Sequence, residues 1–370
     1  MRRASLPAFR RGAASADVVE LQPAWTCGLD DYITGLRFSP DGQALAATSA
    51  SGRVGMRPVE DGVPWVEFGA HQSDATALAW SPDSRSFATG GHDSAVRLWS
   101  RESGRELRVL PLFGWVDHLV WHPVSWMLAA AAGRSIEVWG GHDFETVARW
   151  SDMPSTVSCL RWLRAPDRLV AACYGGVFRF RVGAEGSDHH FRYQGAPIAL
   201  AVAPDESWLV SGNLDASVHL WPMRGARFGR EDAQLGMHGF RAKVEHVVFD
   251  HSFRWLYNTA GPMIARWPMP DPAGRKGEPL AEHPGWVTAI APQPKGTLLA
   301  SADDAGMLCL WRSGGQRDPL RSERVTQTGV TTLAWSPDGE LLSAGTRDGT
   351  VQTWRVVDAR VPAASGGTRR

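Results

Sequence analysis

The most constraining feature of the chain is an internal repeat of about 43 residues. In each copy an apolar segment enters a turn such as Phe38–Gly42, a second segment of small apolar residues follows, and a third ends at a large side chain. Short segments of this kind, separated by Pro, Asp and Gly turns, predict successive antiparallel hairpins. The closing side chains, 40 to 46 residues apart, are Met56, Trp99, Trp139, Phe180, Trp221, Trp267, Trp311 and Trp354.

A repeat of this length fits one four-stranded blade of a β-propeller. Eight copies account for nearly all of the 370 residues. We therefore predict an all-β fold, a closed β-propeller of eight blades with four antiparallel strands each. Such a repeat buries its faces only against its neighbours, which makes residues 16–357 one domain. If one of the weaker copies is an insertion, the ring has seven blades instead.

The last blade requires a strand from the other end of the chain. Repeat 8 ends its third strand near Val357, and residues 358–370 contain no good fourth strand. The segment Asp17–Leu21 lies before the first strand of repeat 1, and we predict that it completes the last blade and removes an open sheet edge. Residues 1–15 are predicted to form a basic, flexible arm, and residues 358–370 a flexible tail.

The repeats differ in quality. Repeats 2 and 8 are the clearest, and repeats 1, 5 and 7 are good copies. Repeats 3, 4 and 6 are degraded, because other residues replace the standard Ser-Pro-Asp turn. The replacements are His122-Pro123-Val124, Ala165-Pro166-Asp167 and Asp250-His251-Ser252.

These patterns resemble the WD40-repeat family over residues 16–357. The resemblance implies radial blades around a central channel, and a structural hydrogen-bonded chain from a loop His through a strand Ser or Thr to a turn Asp and the closing Trp. In repeat 2 it assigns these roles to His71, Thr89, Asp93 and Trp99. Repeat 7 offers His283, Ser301 and Trp311, but its Asp304 lies one place early.

The bulk properties exclude several classes of function. The net charge is zero, which gives no support for a nucleic-acid partner. No apolar stretch is long enough to span a membrane, and the N-terminus lacks the apolar core of a secretory signal. The four cysteines are widely spaced and form no disulfide framework. We expect a protein of the cytoplasm.

No pattern of catalytic or metal-binding residues emerges from the chain. A nucleophile elbow, a phosphate loop and the His-Glu-x-x-His pattern are all missing from the sequence. Asp188–His190 is the best metal candidate, but no second cluster supplies the remaining ligands. The carboxylate pairs Asp30-Asp31 and Asp303-Asp304 are interpreted as solvated turn residues. We therefore expect no catalytic residues, no metal and no cofactor.

One aligned position carries residues that the fold does not require. The residue before the first strand of each blade lies at the rim of one face, and three of the eight are large aromatics. Interfaces are enriched in aromatic residues and arginine. The predicted partner-binding residues are Tyr32, Asp74, Trp115, Lys243 and Trp286, together with the nearby Phe113, Phe240 and Arg241. The alternative is that Trp115 and Trp286 pack sideways against adjacent loops.

The function predicted from these observations is a non-catalytic scaffold that docks a partner protein or peptide on the rim face. One alternative is an enzyme, or a binder of a small ligand or metal, that uses the central channel. Another is a constitutive subunit of a larger complex. The propeller itself is expected to be a monomer or one subunit of a hetero-complex.

Overall fold

Eight four-stranded antiparallel sheets make up the protein. The computed structural model describes residues 18–60, 62–69, 71–165 and 167–360. Each sheet is one blade, so the prediction of eight blades is confirmed and the seven-bladed alternative is wrong. The predicted arm, residues 1–15, and residues 361–370 of the predicted tail lie outside the described residues. Nowhere in the described ranges is there a helix with the length and apolarity of a membrane span.

The chain contributes β1 (Val19–Gly28) to the last blade and then builds the blades in order. Blades 1 and 2 contain β2 (Ile33–Phe38), β3 (Ala44–Ser49), β4 (Arg53–Pro58) and β5 (Val66–Gly69), then β6 (Ala75–Trp80), β7 (Ser86–Gly91), β8 (Ala95–Ser100) and β9 (Glu106–Pro111). Blades 3 and 4 contain β10 (Val116–Trp121), β11 (Met127–Ala132), β12 (Ser135–Gly140) and β13 (Glu145–Trp150), then β14 (Cys159–Trp162), β15 (Arg168–Cys173), β16 (Gly176–Arg181) and β17 (Ser187–Arg192).

The second half of the ring is less regular at its outer edge. Blades 5 and 6 contain β18 (Pro197–Val202), β19 (Trp208–Asn213), β20 (Val218–Pro222) and β21 (Leu235–Met237), then β22 (His246–Phe249), β23 (Trp255–Ala260), β24 (Met263–Pro268) and the short β25 (Glu278–Pro279). Blades 7 and 8 contain β26 (Val287–Pro292), β27 (Leu298–Asp303), β28 (Met307–Arg312) and β29 (Arg321–Arg324), then β30 (Val330–Trp335), β31 (Leu341–Thr346) and β32 (Thr350–Asp358). Two 3-10 turns, Gly225–Arg227 and Glu231–Ala233, precede β21.

The two sets of large side chains in the repeat form the core between blades. Each closing residue lies on the third strand of its blade and is buried. Aromatic residues at the end of the first strand reach back to the preceding blade. Three of their indole N–H groups donate to a carbonyl of that blade at 3.0–3.1 Å: Trp80 to Arg37, Trp162 to Val120, and Trp335 to Ala291. The large rings thus fill the wedges between twisted sheets.

Hydroxyl groups join the blades near the start of the inner strands. At five junctions a Thr or Ser donates to a carbonyl at the start of the next blade's inner strand. The donors are Thr34, Thr76, Ser158, Thr288 and Thr331. The bond from Thr331 to the Ile33 carbonyl, at 2.7 Å, joins blade 8 to blade 1. The sequence analysis did not anticipate these contacts, because a Thr within a strand needs no special explanation.

The predicted closure of the ring is confirmed. Strand β1 pairs antiparallel with β32, from Val19 opposite Asp358 to Gly28 opposite Thr350, with a bulge near Pro23. Val19 and Leu21 are buried in the core shared with blade 7. The N-terminal strand therefore supplies the outermost strand of blade 8.

His118, on the inner strand of blade 3, should make stability depend on pH. Its ring lies near the backbone of Val157, in the loop that leads from blade 3 to blade 4. Burial lowers its pKa to about 4 although Asp117 acts in the opposite direction, and Arg161 lowers the pKa further. In the unfolded chain a histidine titrates near 6.5. The free energy of unfolding that depends on a neutral His118 is therefore fully present above that pH and is lost as the pH falls toward 4. Between pH 7.5 and pH 5 the loss amounts to ~2 kcal/mol.

We expect His118→Gln to lose less stability than the wild type over that interval, by about 2 kcal/mol. Urea unfolding of both proteins at pH 7.5 and pH 5 measures the difference. The matched control is His142→Gln, which replaces an exposed histidine of the same blade. Parallel pH profiles for the wild type and His118→Gln would contradict the prediction.

Candidate partner-binding face

The exposed aromatic residues lie on one face of the propeller. We call this the upper face; it is the end at which each inner strand begins, and it also carries the turn between the second and third strands of each blade. Within the described parts of the chain, the exposed aromatic side chains are Tyr32, Phe113, Trp115, Tyr174 and Trp286. All five are in loops of the upper face. The other exposed large apolar side chains of these ranges are eight valines and leucines, of which four lie on outer strands: Val66, Leu107, Val109 and Val147.

Three of the predicted residues meet at the upper mouth of the central channel. Tyr32, Lys243 and Trp286 line a cavity of about 530 Å³ that also includes Leu214. The Lys243 ammonium pairs with Glu245 at 2.8 Å. The indole of Trp286 is half exposed, and its backbone N–H donates to Asp304 at 2.8 Å, which fixes the loop. The mouth therefore combines exposed aromatic surface with a charged pair, as binding sites for proteins often do.

Trp115 belongs to a second patch, at the junction of blades 2 and 3. Its indole stacks on His92 with ring centroids 4.6 Å apart and remains 63% exposed. His92 in turn lies 3.0 Å from Asp117 and 3.7 Å from the predicted residue Asp74. The sideways packing considered for Trp115 is thus present, but it orients the ring without covering it. Phe113, next to it, is 92% exposed.

The remaining two predicted residues lie apart from both patches. Phe240 is half-buried and meets Trp267 edge-on, at 6.3 Å between centroids, beside a cavity of about 460 Å³ between blades 5 and 6. Arg241 is exposed in the same loop. Conversely, Tyr174 and Leu214 lie on the upper face although the sequence analysis missed them. Their signal was a large apolar residue in the turn after the second strand, a position that we did not compare between repeats.

In blade 2 a buried chain of side chains connects the upper face to the core. The two ring nitrogens of His71 lie 2.8 Å from Asp93 and 2.8 Å from Thr89, and the indole of Trp99 donates to Thr89 at 2.9 Å. Burial lowers the pKa of His71 more than Asp93 raises it. A neutral ring suits the geometry, because Nδ1–H can donate to Asp93 while Nε2 accepts from the Thr89 hydroxyl.

Blade 7 contains an equivalent chain with a different carboxylate. His283 lies 2.7 Å from Ser301 and 3.1 Å from Asp303, and Trp311 donates to Ser301 at 2.7 Å. The pKa of His283 rises to about 9, because burial, which lowers it, is outweighed by hydrogen bonds to Asp303 and Cys309. Asp303 is fully buried, so its interpretation as a solvated turn residue is wrong.

The side chains of the Asp188–His190 cluster on β17 each contact a different partner. Asp188 pairs with Arg179 at 2.7 Å, His190 stacks on Phe178 at 4.0 Å between centroids, and His189 packs against other rings. Across the described chain, the structure brings together no three His, Cys, Asp or Glu side chains in a metal-binding arrangement.

Comparison with known proteins identifies the family. The model of the WD domain, G-beta repeat, matches residues 23–56, 62–100, 188–222, 276–312 and 318–355. The chain is a WD40-repeat β-propeller. The five matches fall on blades 1, 2, 5, 7 and 8, whereas blades 3, 4 and 6, with the altered turns, are not matched.

Curated relatives of this WD40 protein are much longer chains. This chain is 24% identical over 338 residues to the protein named telomerase protein component 1 from Mus musculus. The alignment covers 86% of this chain and 12% of that protein. This chain is 23% identical to the protein named HIR1 from Eremothecium gossypii. That alignment covers 85% of this chain and 43% of HIR1. The chain therefore spans less than half the length of either relative.

A solved structure matches the fold over most of both chains. The crystal structure of the computationally designed Ika8 protein aligns with a TM-score of 0.75 at 21% identity, covering 89% of this chain and 97% of that one. At this identity the likeness concerns the fold alone.

Proposed function

We propose that this WD40 propeller is a non-catalytic scaffold that docks a partner protein or peptide on its upper face. The observation that carries the proposal is that all five exposed aromatic side chains of the described residues lie on that face. Exposed aromatic residues are costly in solution and typical of binding surfaces, because they bury a large area when a partner covers them.

The upper face offers two anchoring points for such a partner. The cavity at the channel mouth can accept an apolar side chain between Tyr32 and Trp286, and the Lys243–Glu245 pair at its rim can form polar contacts. The ring of Trp115, held by His92, presents a flat surface at the junction of blades 2 and 3. Since His92 fixes the ring before binding, less conformational entropy is lost when the partner docks.

The relatives are consistent with an interaction role. One of them is named as a protein component of telomerase, and in both relatives the region similar to this chain is a minor part of a longer polypeptide. A propeller within such a chain acts by binding other proteins. We accordingly propose that the present protein works in the cytoplasm as part of a transient or permanent hetero-complex.

The test is affinity purification from the native organism with the purified chain as bait. We expect Trp115→Ala combined with Trp286→Ala to reduce recovery of the partner at least tenfold, because both anchors are lost. The matched control is Leu107→Ala combined with Val124→Ala, which removes exposed apolar side chains away from the upper face. Equal recovery by a folded Trp115→Ala/Trp286→Ala protein would refute docking on this face.

A further inference from the structure

The inner strands place two arginines at one level of the central channel. Arg37 is the fifth residue of β2, and Arg161 occupies the equivalent place in β14, one residue before the large side chain that ends the strand. Both are exposed. In the other blades this position is alanine, as at Ala79, or valine, as at Val120. The level is therefore apolar except for two guanidinium groups.

The two guanidinium groups lie at the same level of the channel, on the inner strands of blades 1 and 4. Blades 1 and 4 are three places apart in the ring, so the neighbouring sheets separate them along the circumference. Nevertheless, burial and then the charge of Arg161 lower the pKa of Arg37. The inner strands surround the axis, and the direct route for this interaction is through the channel itself.

Neither guanidinium has an acidic partner in the described structure. Arg37 donates to the Leu36 carbonyl at 2.9 Å, and Arg161 donates to the Leu160 carbonyl at 2.8 Å. Each contact is to a carbonyl of the adjacent residue on the same strand. Most other hydrogen-bonded arginines of the protein contact a carboxylate, as Arg53 contacts Asp30 at 2.8 Å.

The acidic residues of the inner strands are at the other end of the channel. Asp117 and Glu245 are near the upper face, where they contact His92 and Lys243. Asp117 is in β10 and Glu245 directly precedes β22, each three residues before the arginine level, which corresponds to about 10 Å along the axis. The lower half of the channel thus holds two positive charges that these carboxylates do not neutralise.

We propose that the lower half of the channel binds a small oxyanion of the phosphate class between Arg37 and Arg161. A guanidinium presents a planar fork of donors that matches phosphate oxygens, and two such forks can grip one anion from opposite sides. Small side chains at most other positions of this level leave room for the ligand and exclude polar competitors. The site is separate from the docking surface of the upper face and does not depend on it.

The experiment compares melting temperatures and calorimetric titrations of the full chain in increasing inorganic phosphate, with sodium chloride keeping the ionic strength constant. We expect a saturable rise in melting temperature for the wild type. Arg37→Gln and Arg161→Gln should each weaken phosphate binding at least tenfold, and without phosphate each should melt at or above the wild type because the like charges no longer oppose each other.

The matched control is Arg192→Gln, which removes the same charge from the exposed outer strand of blade 4 and should leave phosphate binding unchanged. Acetate, titrated in the same way, distinguishes a phosphate site from one that accepts any carboxylate; binding of acetate with equal affinity would overturn the assignment to the phosphate class. The proposal would also be overturned if chloride gave the same rise as phosphate, or if the two channel variants bound phosphate as tightly as Arg192→Gln.

Discussion

A chain that lacks residues 1–28 should melt about 10 °C below the full-length protein. This truncation removes β1, the outermost strand of blade 8, and with it the buried side chains of Val19 and Leu21. Burial of two such side chains is worth about 5 kcal/mol, and for a domain of this size each kcal/mol corresponds to roughly 2 °C. The contact of Arg57 with the Trp25 ring, 4.1 Å from its centroid, is lost as well.

The truncation should also promote association. It removes the outer partner of the long strand β32, and an unpaired edge of that length is a template for pairing with another chain. Scanning calorimetry measures the melting temperature, and light scattering measures the association. The control lacks residues 1–17 only and retains β1, so the comparison isolates the strand. Identical melting curves for the two truncations would show that β1 does not stabilise the ring.

The architecture could be predicted because it depends on periodic features. Three features can be found in the sequence without knowledge of any long-range contact: the period, the large closing side chains and the missing fourth strand of repeat 8. Even the altered turns keep the backbone hydrogen bond that closes the standard turn, from the residue after the first strand to the carbonyl five residues later. In blade 3, for example, Nδ1 of His122 accepts the backbone N–H groups of Val124 and Ser125 at 3.1 and 2.8 Å, which is the role that Asp has in the regular turn.

The candidate sites were only partly predictable, because they depend on which loops meet in space. Tyr32, Lys243 and Trp286 come from blades 1, 6 and 7, and only the closed ring brings them to one mouth. Phe240 occupies a similar place in sequence but turns toward Trp267 between blades 5 and 6. The shared level of Arg37 and Arg161 in the channel was missed for the same reason, since a single arginine within a strand does not indicate a site.

Comparison of the repeats position by position also did not locate the carboxylate that binds His283 in blade 7. Counting from the hydroxyl residue, Asp93 lies four places after Thr89, and Asp304 is nearer to that position than Asp303. In blade 2 the residue equivalent to Asp303 is Gly91, where a Cβ would come within 2.3 Å of the His71 ring. Two backbone positions can therefore place a carboxylate against the histidine, and each blade uses one of them.

Replacement of Asp303 by alanine should strongly destabilise blade 7. The buried carboxylate accepts hydrogen bonds from His283 and from the backbone N–H groups of Gly285, Ala305 and Met307, at 2.8 to 3.2 Å. Asp303→Ala leaves all these donors without their acceptor in a buried site. It also removes the carboxylate that pairs with His283, whose pKa is raised in part by that pairing. Removing one partner of a buried pair costs about 3–5 kcal/mol.

The adjacent Asp304 provides a control for this prediction. Its carboxylate accepts one hydrogen bond, from the Trp286 backbone at 2.8 Å, in a half-exposed loop. We expect Asp304→Ala to lower the free energy of unfolding by about 1 kcal/mol or less. Urea unfolding of both variants at pH 7 measures the two costs. Equal costs, or a larger cost for Asp304→Ala, would mean that the carboxylate nearest the regular WD40 position holds the blade together, and that the buried Asp303 network does not.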